Sequence, residues 1–176
     1  MNKIVFVLSF LLFFSCASNF NEQINKVSEL QFDLTSLENS FYSIDQQKVD
    51  AAIEEYKHNM SQIKKYYYTD TVEKEFVQLM NSYKSIKKGG KGLSKEAENI
   101  NSNLTTMKQQ LSFLKADLEN QLLLKDSALF YITNEERNFN LLNENITNYI
   151  IECESILSLD DSLAIKVRYL INSYKE

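Results

Sequence analysis

The sequence predicts an all-α protein, and three observations support that prediction. The 176 residues contain no proline, although average usage would give about nine. Apolar residues recur at spacings of three and four through most of the chain, which is the period of an α-helix. Runs that alternate apolar and polar residues, as half-buried strands do, are absent from the sequence. We therefore expect an elongated antiparallel helical bundle.

The N-terminal segment has the pattern of a secretory signal. Lys3 supplies a positive charge, and the stretch from Ile4 to Phe14 contains one polar residue, Ser9. These eleven residues would span about 16 Å as a helix, well short of the roughly 30 Å hydrocarbon core of a bilayer. A short apolar run after a basic start is typical of a signal peptide rather than of a membrane span. We assign residues 1–15 to this signal.

The end of the signal resembles a bacterial lipobox. Ser15 and Cys16 match the small residue and the cysteine of that motif, whereas two phenylalanines stand where leucine and a small residue are usual. The resemblance implies that Cys16 is acylated and that residues 16–19 are a lipidated tether. Several acyl chains bind a membrane durably, since each buried methylene contributes about 0.8 kcal/mol. The alternative is ordinary cleavage after Ala17, because Ser15 and Ala17 satisfy the small-x-small rule.

Residues 20–176 are predicted to form the helical bundle domain, with a core at the heptad positions. The predicted core positions of the first half are Phe20, Ile24, Val27, Leu30, Leu34, Leu37, Phe41, Ile44, Val49, Ile53, Tyr56, Met60, Ile63, Tyr67, Val72, Phe76, Leu79, Tyr83 and Ile86. Those of the second half are Ala97, Ile100, Leu104, Met107, Leu111, Leu114, Leu118, Phe139, Leu142, Ile146, Tyr149, Cys153, Ile156, Leu163, Val167, Leu170 and Tyr174. Further apolar residues are expected to widen the buried face, namely Phe32, Leu122, Leu123, Leu124, Leu129, Phe130, Ile150 and Ile151.

Capping residues predict where one helix ends and the next begins. Serine and aspartate accept hydrogen bonds from the free N–H groups of a first helical turn, and a glutamate or glutamine three residues later completes a capping box. The predicted starts are Ser43 with Gln46, Asp70 with Glu73, Ser94, Asp126 with Ser127, and Asp160 to Ser162.

The three glycines of the chain all lie between Gly89 and Gly92, near the middle of the mature sequence. Glycine adopts positive φ at little cost, so a cluster of glycines favours a change of chain direction. We therefore predict a coiled-coil hairpin that reverses at Gly89–Gly92. In such a hairpin Lys87, Lys88 and Lys91 form the surface most available to a partner.

Charge and cysteine content narrow the function classes. The formal net charge is −5, and the chain has only two arginines, Arg137 and Arg168. Nucleic-acid binding needs clustered Lys and Arg, so we predict no nucleic-acid partner. If Cys16 is acylated, Cys153 is the one thiol left, and its apolar heptad position predicts burial as a small hydrophobic side chain.

No set of residues in the sequence points to catalysis, to a metal or to a cofactor. Glu55 and His58 have the Glu-x-x-His spacing of di-iron bundles, but such a site needs a second histidine and the chain has one. His58 also lies off the apolar stripe, so we expect it to face solvent. The run Tyr66 to Tyr68 has two interpretations: a helix end packed on its neighbour, or an exposed recognition patch. We predict a protein that is not an enzyme.

Three short motifs resemble the Asp-Ser/Thr-aliphatic acceptor of O-glycosylation in Bacteroidetes envelope proteins. The resemblance implies modification at Thr71, Ser127 and Ser162, each of which falls at a predicted helix junction. Simple helix capping explains the same residues, because an aspartate followed by Ser or Thr is common at a helix start.

Together, the signal and the lipobox-like end resemble those of small helical lipoproteins of Bacteroidetes. The resemblance implies a lipid-anchored cell-envelope protein, at the outer rather than the inner membrane and facing either the periplasm or the cell surface. Its expected partners are the membrane, through Cys16, and another envelope protein. The expected function is non-catalytic binding, spacing or scaffolding. The alternative is a chaperone-like module whose groove binds an apolar peptide or a lipid.

Overall fold

The computed structural model describes residues 20–68 and 71–175. All regular secondary structure in these residues is helical, and no strand occurs among them. Their α-helices are α1 (Asn21–Tyr42), α2 (Gln46–Tyr66), α3 (Lys74–Tyr83), α4 (Ser85–Gly89), α5 (Leu93–Glu119) and α6 (Lys125–Ser173). The long helices pack against one another, which confirms the prediction of an all-α helical bundle.

The helices form because each one buries a stripe of apolar side chains at the predicted spacing. Most predicted core positions are buried, and those almost completely shielded include Val27, Leu34, Val49, Tyr83, Ile86, Leu104, Leu111, Leu118, Ile146, Tyr149, Cys153, Ile156 and Val167. Within α3, Met80 is buried although it was not predicted, whereas the predicted Leu79 is only half-buried. The expected widening of the buried face is wrong for Phe32, Leu122, Leu124, Leu129, Phe130 and Ile151, which are exposed.

The described residues divide into two compact units, and α1, α5 and α6 each contribute residues to both. The smaller unit combines the described residues up to Thr35 with Thr105–Asn140. The larger unit combines Ser36–Leu104 with the chain from Leu141 onwards. The larger unit holds the candidate site described below.

In the larger unit, α2 and the C-terminal part of α6 run in the same direction. Three pairs at increasing positions along both segments establish this: Gln46 with Tyr149, Glu55 with Arg168, and Tyr67 with Tyr174. The first two are hydrogen bonds, in which Tyr149 and Arg168 donate, and the third is an edge-on contact between rings.

The segment from α3 through the start of α5 runs antiparallel to α2 and to the end of α1 that precedes it. Tyr83 accepts a hydrogen bond from Asn59, Gly90 lies against Ile53, and Asn101 accepts one from Tyr42. Positions therefore increase along one segment as they decrease along the other, without interruption at the glycines. The predicted reversal at Gly89–Gly92 is wrong, because the chain passes this point without turning back.

The glycines allow close packing between helices instead. Gly90 has a right-handed φ of −67°, and a Cβ atom at this position would lie 2.8 Å from Cδ1 of Ile53. A Cβ atom on Gly89 would collide with the Glu152 side chain of α6. Only Gly92 has a positive φ, at 91°, immediately before α5 begins at Leu93. Gly92 therefore provides a positive φ, whereas Gly89 and Gly90 allow side chains of neighbouring helices to lie close to the backbone.

Within residues 20–175, as far as the structure describes them, the first chain reversal lies between α2 and α3. Tyr67 caps α2, and its ring stacks on Phe76 of α3 with ring centroids 4.0 Å apart. The predicted helix start near Asp70 and Glu73 corresponds to the beginning of α3 at Lys74, although Asp70 lies outside the described residues.

The end of α5 is a Schellman motif, which separates α5 from α6 in the smaller unit. The N–H of Leu122 donates to the carbonyl of Asp117 at 2.9 Å, and the N–H of Gln121 donates to that of Leu118 at 3.1 Å. Gln121 takes the left-handed conformation of this motif, with φ of 55°. Glutamine thus stands where glycine is preferred.

Several predicted capping positions differ in detail. Asp45 rather than Ser43 caps α2, through a bond that its carboxylate accepts from the N–H of Lys48. Ser94 lies inside the first turn of α5, because that helix already begins at Leu93. The helix predicted to start at Asp160–Ser162 does not exist as a separate element, since α6 continues through these residues.

Candidate functional site

Cys16, together with the predicted signal and tether, lies outside the described residues. Its acylation stays a prediction.

The three residues with the acceptor motif occupy different settings. Thr71 is exposed between α2 and α3, and Ser127 is half-buried in the first turn of α6. Ser162 is exposed in the interior of α6, where its hydroxyl donates to the Ser158 carbonyl at 2.8 Å. The expectation that all three fall at helix junctions is therefore wrong for Ser162.

Cys153 and His58 lie where their spacing predicted. Cys153 is buried, and burial is the main cause that raises the pKa of its thiol. His58 is exposed, and Glu55 forms an ion pair with Arg168 rather than a site with His58. No group of three or more His, Cys, Asp or Glu side chains among the described residues could hold a metal ion.

The tyrosine run at the end of α2 is partly packed and partly exposed. Tyr67 packs between the rings of Phe76 and Tyr174, as expected for a helix end against its neighbours. Tyr68 is 80% exposed. The ring of Tyr66 receives the ammonium groups of two lysines over its face, at 4.8 Å and 5.2 Å from its centroid.

The larger unit contains an open groove of about 740 Å³ between α2 and the segment that runs from Lys84 through α4 to Lys91. We call it the lysine groove. Its lining residues are Ile53, Tyr56, Lys57, Met60, Ser61, Lys64, Lys84, Lys87, Gly90 and Lys91. Five of the 17 lysines of the chain thus line one groove, in a protein whose formal net charge is −5.

On α2, the groove residues follow directly after the residues of the core. The buried stripe is Ala52, Tyr56, Asn59 and Ile63. The groove stripe is Ile53, Lys57, Met60 and Lys64, one position later in each case. One residue rotates a helix by about 100°, so the second stripe faces sideways from the core. Ile53 and Met60 are half-buried and provide an apolar floor.

On the opposite wall, too, each groove lysine follows a more deeply packed residue by one position. Tyr83 and Ile86 are buried in the core, and Lys84 and Lys87 follow each of them by one position. Lys91 stands in the same relation to Gly90, which allows the two walls to approach closely at that end. Three lysines therefore follow one another at spacings of three and four along this wall.

Most of the groove lysines have no acidic partner. Lys57 pairs with Glu54 on the same helix, with Nζ and Oε1 2.6 Å apart. Lys64, Lys84, Lys87 and Lys91 are exposed and form no ion pair with any described residue. The groove therefore presents uncompensated positive charge above an apolar floor.

A buried polar cluster joins the two walls beneath the groove. Nδ2 of Asn59 donates to the Tyr83 hydroxyl at 2.9 Å, and burial is the main cause that raises the pKa of Tyr83. Asn59 also donates to Glu55 at 3.4 Å, and Glu55 pairs with Arg168 of α6. Oδ1 of Asp160 is buried close by and accepts no hydrogen bond from the described residues. These contacts connect both walls to each other and to α6.

The sequence identified part of this site. Lys87 and Lys91, which were predicted to lie at a hairpin tip, line the groove instead. Lys88 is exposed but does not line the groove. Lys57, Lys64 and Lys84 were missed. Their signal was a lysine one position after an apolar core residue on two neighbouring helices, and it becomes visible only once the pairing of those helices is known.

None of the helices in the described part of the chain has the length and apolar character needed to cross a bilayer. No protein-family model matches the chain, and neither a curated protein nor a solved structure shows similarity to it.

Proposed function

We propose that this chain is a lipid-anchored, non-catalytic binding protein of the cell envelope, and that the lysine groove is its binding surface. The proposal for the anchor is supported by the basic start, the short apolar run and the Ser15-Cys16 ending of the signal. The proposal for binding is carried by one observation, the groove itself, whose floor is apolar and whose walls hold four lysines without acidic partners.

An apolar floor and a charged rim are what a recognition surface needs. Burial of Ile53 and Met60 under a ligand would supply affinity, at about 25 cal/mol for each Å² of apolar surface removed from water. The lysines would supply selectivity and speed of association, because uncompensated positive charge attracts acidic partners and repels basic ones. The groove also suits the second candidate, a module that binds an apolar peptide or a lipid, through the same floor.

Photo-crosslinking in intact cells tests the groove as a binding surface. The crosslinking amino acid p-benzoylphenylalanine replaces Ser61, which is exposed in the groove, or Ser102, which is exposed on α5 outside it. We expect discrete adducts from position 61 and none of the same mass from position 102. The adducts should disappear when Lys84→Glu and Lys87→Glu are combined with the crosslinker. The same adducts from both positions, or none from position 61, would overturn the proposal.

A further inference from the structure

We propose that the lysine groove binds an acidic amphipathic helix of a partner protein. This inference rests on the proposed function, in which the groove is the binding surface, and adds the chemical class of its ligand. Three properties of the groove lead to it: the placement of its charges, the spacing of its floor and its length.

The charges lie on both walls and at intervals along the groove. Lys57 and Lys64 are seven residues apart on α2, which is two helical turns. Lys84, Lys87 and Lys91 cover a similar distance on the opposite wall. Because Lys57 already pairs with Glu54, a ligand that neutralises the unpaired lysines carries negative charge opposite Lys64 on one flank and several negative charges along the other flank.

The floor between these rows has helical spacing. The half-buried floor residues Ile53 and Met60 are seven residues apart on α2, which is two helical turns, and Tyr56 between them lines the groove with 5% of its surface exposed. Such a floor receives apolar side chains that recur with the same interval on a ligand helix. A helix with leucines at that spacing and glutamates on both flanks matches the floor and both walls, as complementary flanking charges match in a coiled coil.

The length and the apolar floor of the groove favour an acidic helix over a lipid or a nucleic acid as its ligand. From Ile53 to Lys64 the wall extends about 16 Å, which is three turns of a helix. A lipid with one anionic head would meet the lysines at one end and leave the rest unpaired. A nucleic acid would supply phosphates but no apolar seam for the floor. A short acidic helix uses every part of the surface.

The test uses the protein as purified from the cells that make it, with three synthetic peptides. The first is a peptide of about 18 residues, with leucines at spacings of three and four and glutamates on both flanks. The second has glutamine in place of every glutamate, and the third is the first with a central proline, which breaks a helix. We expect the first peptide to bind, and the second and third to bind at least about tenfold more weakly.

Matched charge variants identify the surface. Lys84→Glu with Lys87→Glu should weaken binding of the first peptide by about tenfold or more. Lys74→Glu with Lys95→Glu changes the net charge equally at exposed positions outside the groove, and should leave binding within about twofold. If the glutamate pair in the groove impairs folding, measured by far-UV circular dichroism, Lys84→Gln with Lys87→Gln replaces it and is expected to weaken binding in the same direction.

Each contrary result overturns the inference. Equal binding of the glutamate and glutamine peptides would show that the ligand need not be acidic. Undiminished binding of the proline peptide would show that the ligand need not be helical. Binding of phosphatidylglycerol vesicles through Lys84 and Lys87, without binding of the peptide, would make the ligand a membrane surface. If groove-dependent adducts from position 61 were still observed in that case, the proposed function would stand. Loss of those adducts as well would remove both proposals.

Discussion

Gln121 adopts the left-handed conformation at the end of α5, where the backbone favours glycine. For a residue with a Cβ atom this conformation costs about 1–2 kcal/mol, while glycine loses about 0.5–1 kcal/mol through the entropy of the unfolded chain. We therefore expect Gln121→Gly to raise the free energy of unfolding by about 0.5–1 kcal/mol in urea denaturation. Glu119→Gly, inside the same helix end, should lower it by about 1 kcal/mol. A loss of stability from both substitutions would contradict the role assigned to Gln121.

Asn59 and Tyr83 form a buried hydrogen bond between the two walls of the groove. Tyr83→Phe removes the acceptor and leaves the Asn59 amide short of a partner, so we expect a loss of about 1–3 kcal/mol in the free energy of unfolding. Asn59→Leu added to Tyr83→Phe replaces both polar groups and should recover part of that loss. Additive losses in the double variant, measured by the same denaturation, would show that the pair does not interact.

Asp160 makes the stability of the larger unit depend on pH. Burial, then the negative charges of Glu55 and Asp161, raise the pKa of its carboxyl group above the ordinary value of 3.8, against a smaller opposing effect of Arg168. The native state therefore holds this proton more tightly than the unfolded chain does. The stability that the protonated group contributes is complete below pH 3.8 and is lost as pH rises through the native pKa.

We accordingly expect Asp160→Asn to stabilise the protein more at pH 7 than at pH 3, relative to the natural chain. Urea denaturation at both pH values measures this difference. Asp33→Asn is the control, because its side chain is exposed on α1 and is not among the charges that act on Asp160, so its replacement should change stability little. A benefit of Asp160→Asn that is the same at pH 3 and pH 7 would show that the group does not change its proton affinity on folding.

At the scale of helices, the apolar spacing predicted most of the core and most of the helix positions. The heptad stripe depends on local repetition, so it can be recognised in the sequence alone, from Val27 in α1 to Val167 in α6. Capping signals were less reliable, because Asp160 to Ser162 can be accommodated inside a helix when the serine hydroxyl bonds to the preceding turn. Burial was also predicted where there is none. Phe32 and Phe130 are exposed, because an apolar side chain beside the stripe is not necessarily covered by a neighbouring helix.

The glycine cluster could not be interpreted correctly without the neighbouring helices. A glycine that turns the chain and a glycine that admits a close neighbour look the same in a sequence. Gly90 belongs to the second kind, because the space for its Cβ atom is filled by Ile53. The groove could not be predicted for the same reason, because its lysines on α2 and those in and beside α4 become neighbours only when the helices pair.

This interpretation of Gly90 leads to a direct test. Gly90→Ala would place a Cβ atom 2.8 Å from Cδ1 of Ile53 and 3.1 Å from the carbonyl oxygen of Ile86. We expect a loss of about 1–3 kcal/mol in the free energy of unfolding from overpacking, in place of the gain that alanine usually gives in a helix. The loss should be smaller in an Ile53→Ala background, measured as a double-mutant cycle. A gain in stability from Gly90→Ala would mean that the helices do not approach closely here.

At the scale of the whole molecule, membrane attachment follows from one residue. Cys16→Ser removes the proposed acylation site while it leaves the apolar signal unchanged. We expect the variant to move from the membrane pellet to the soluble fraction, because the acyl chains would supply the attachment. Immunoblotting of both fractions after high-salt and carbonate washing measures this, with Cys153→Ser as the control, which should remain in the pellet. Retention of the Cys16 variant in the pellet would contradict lipid anchoring.

The two walls of the groove also differ from the rest of the larger unit in how far apart their residues are in the chain. Asn59 and Tyr83 are 24 residues apart, whereas Glu55 and Arg168 are 113 apart. Closing the shorter loop costs about 1.4 kcal/mol less in chain entropy. The contacts that join the walls need no residue of α6, so a ribosome can release both sides of the groove before it has synthesised the helix that packs behind them.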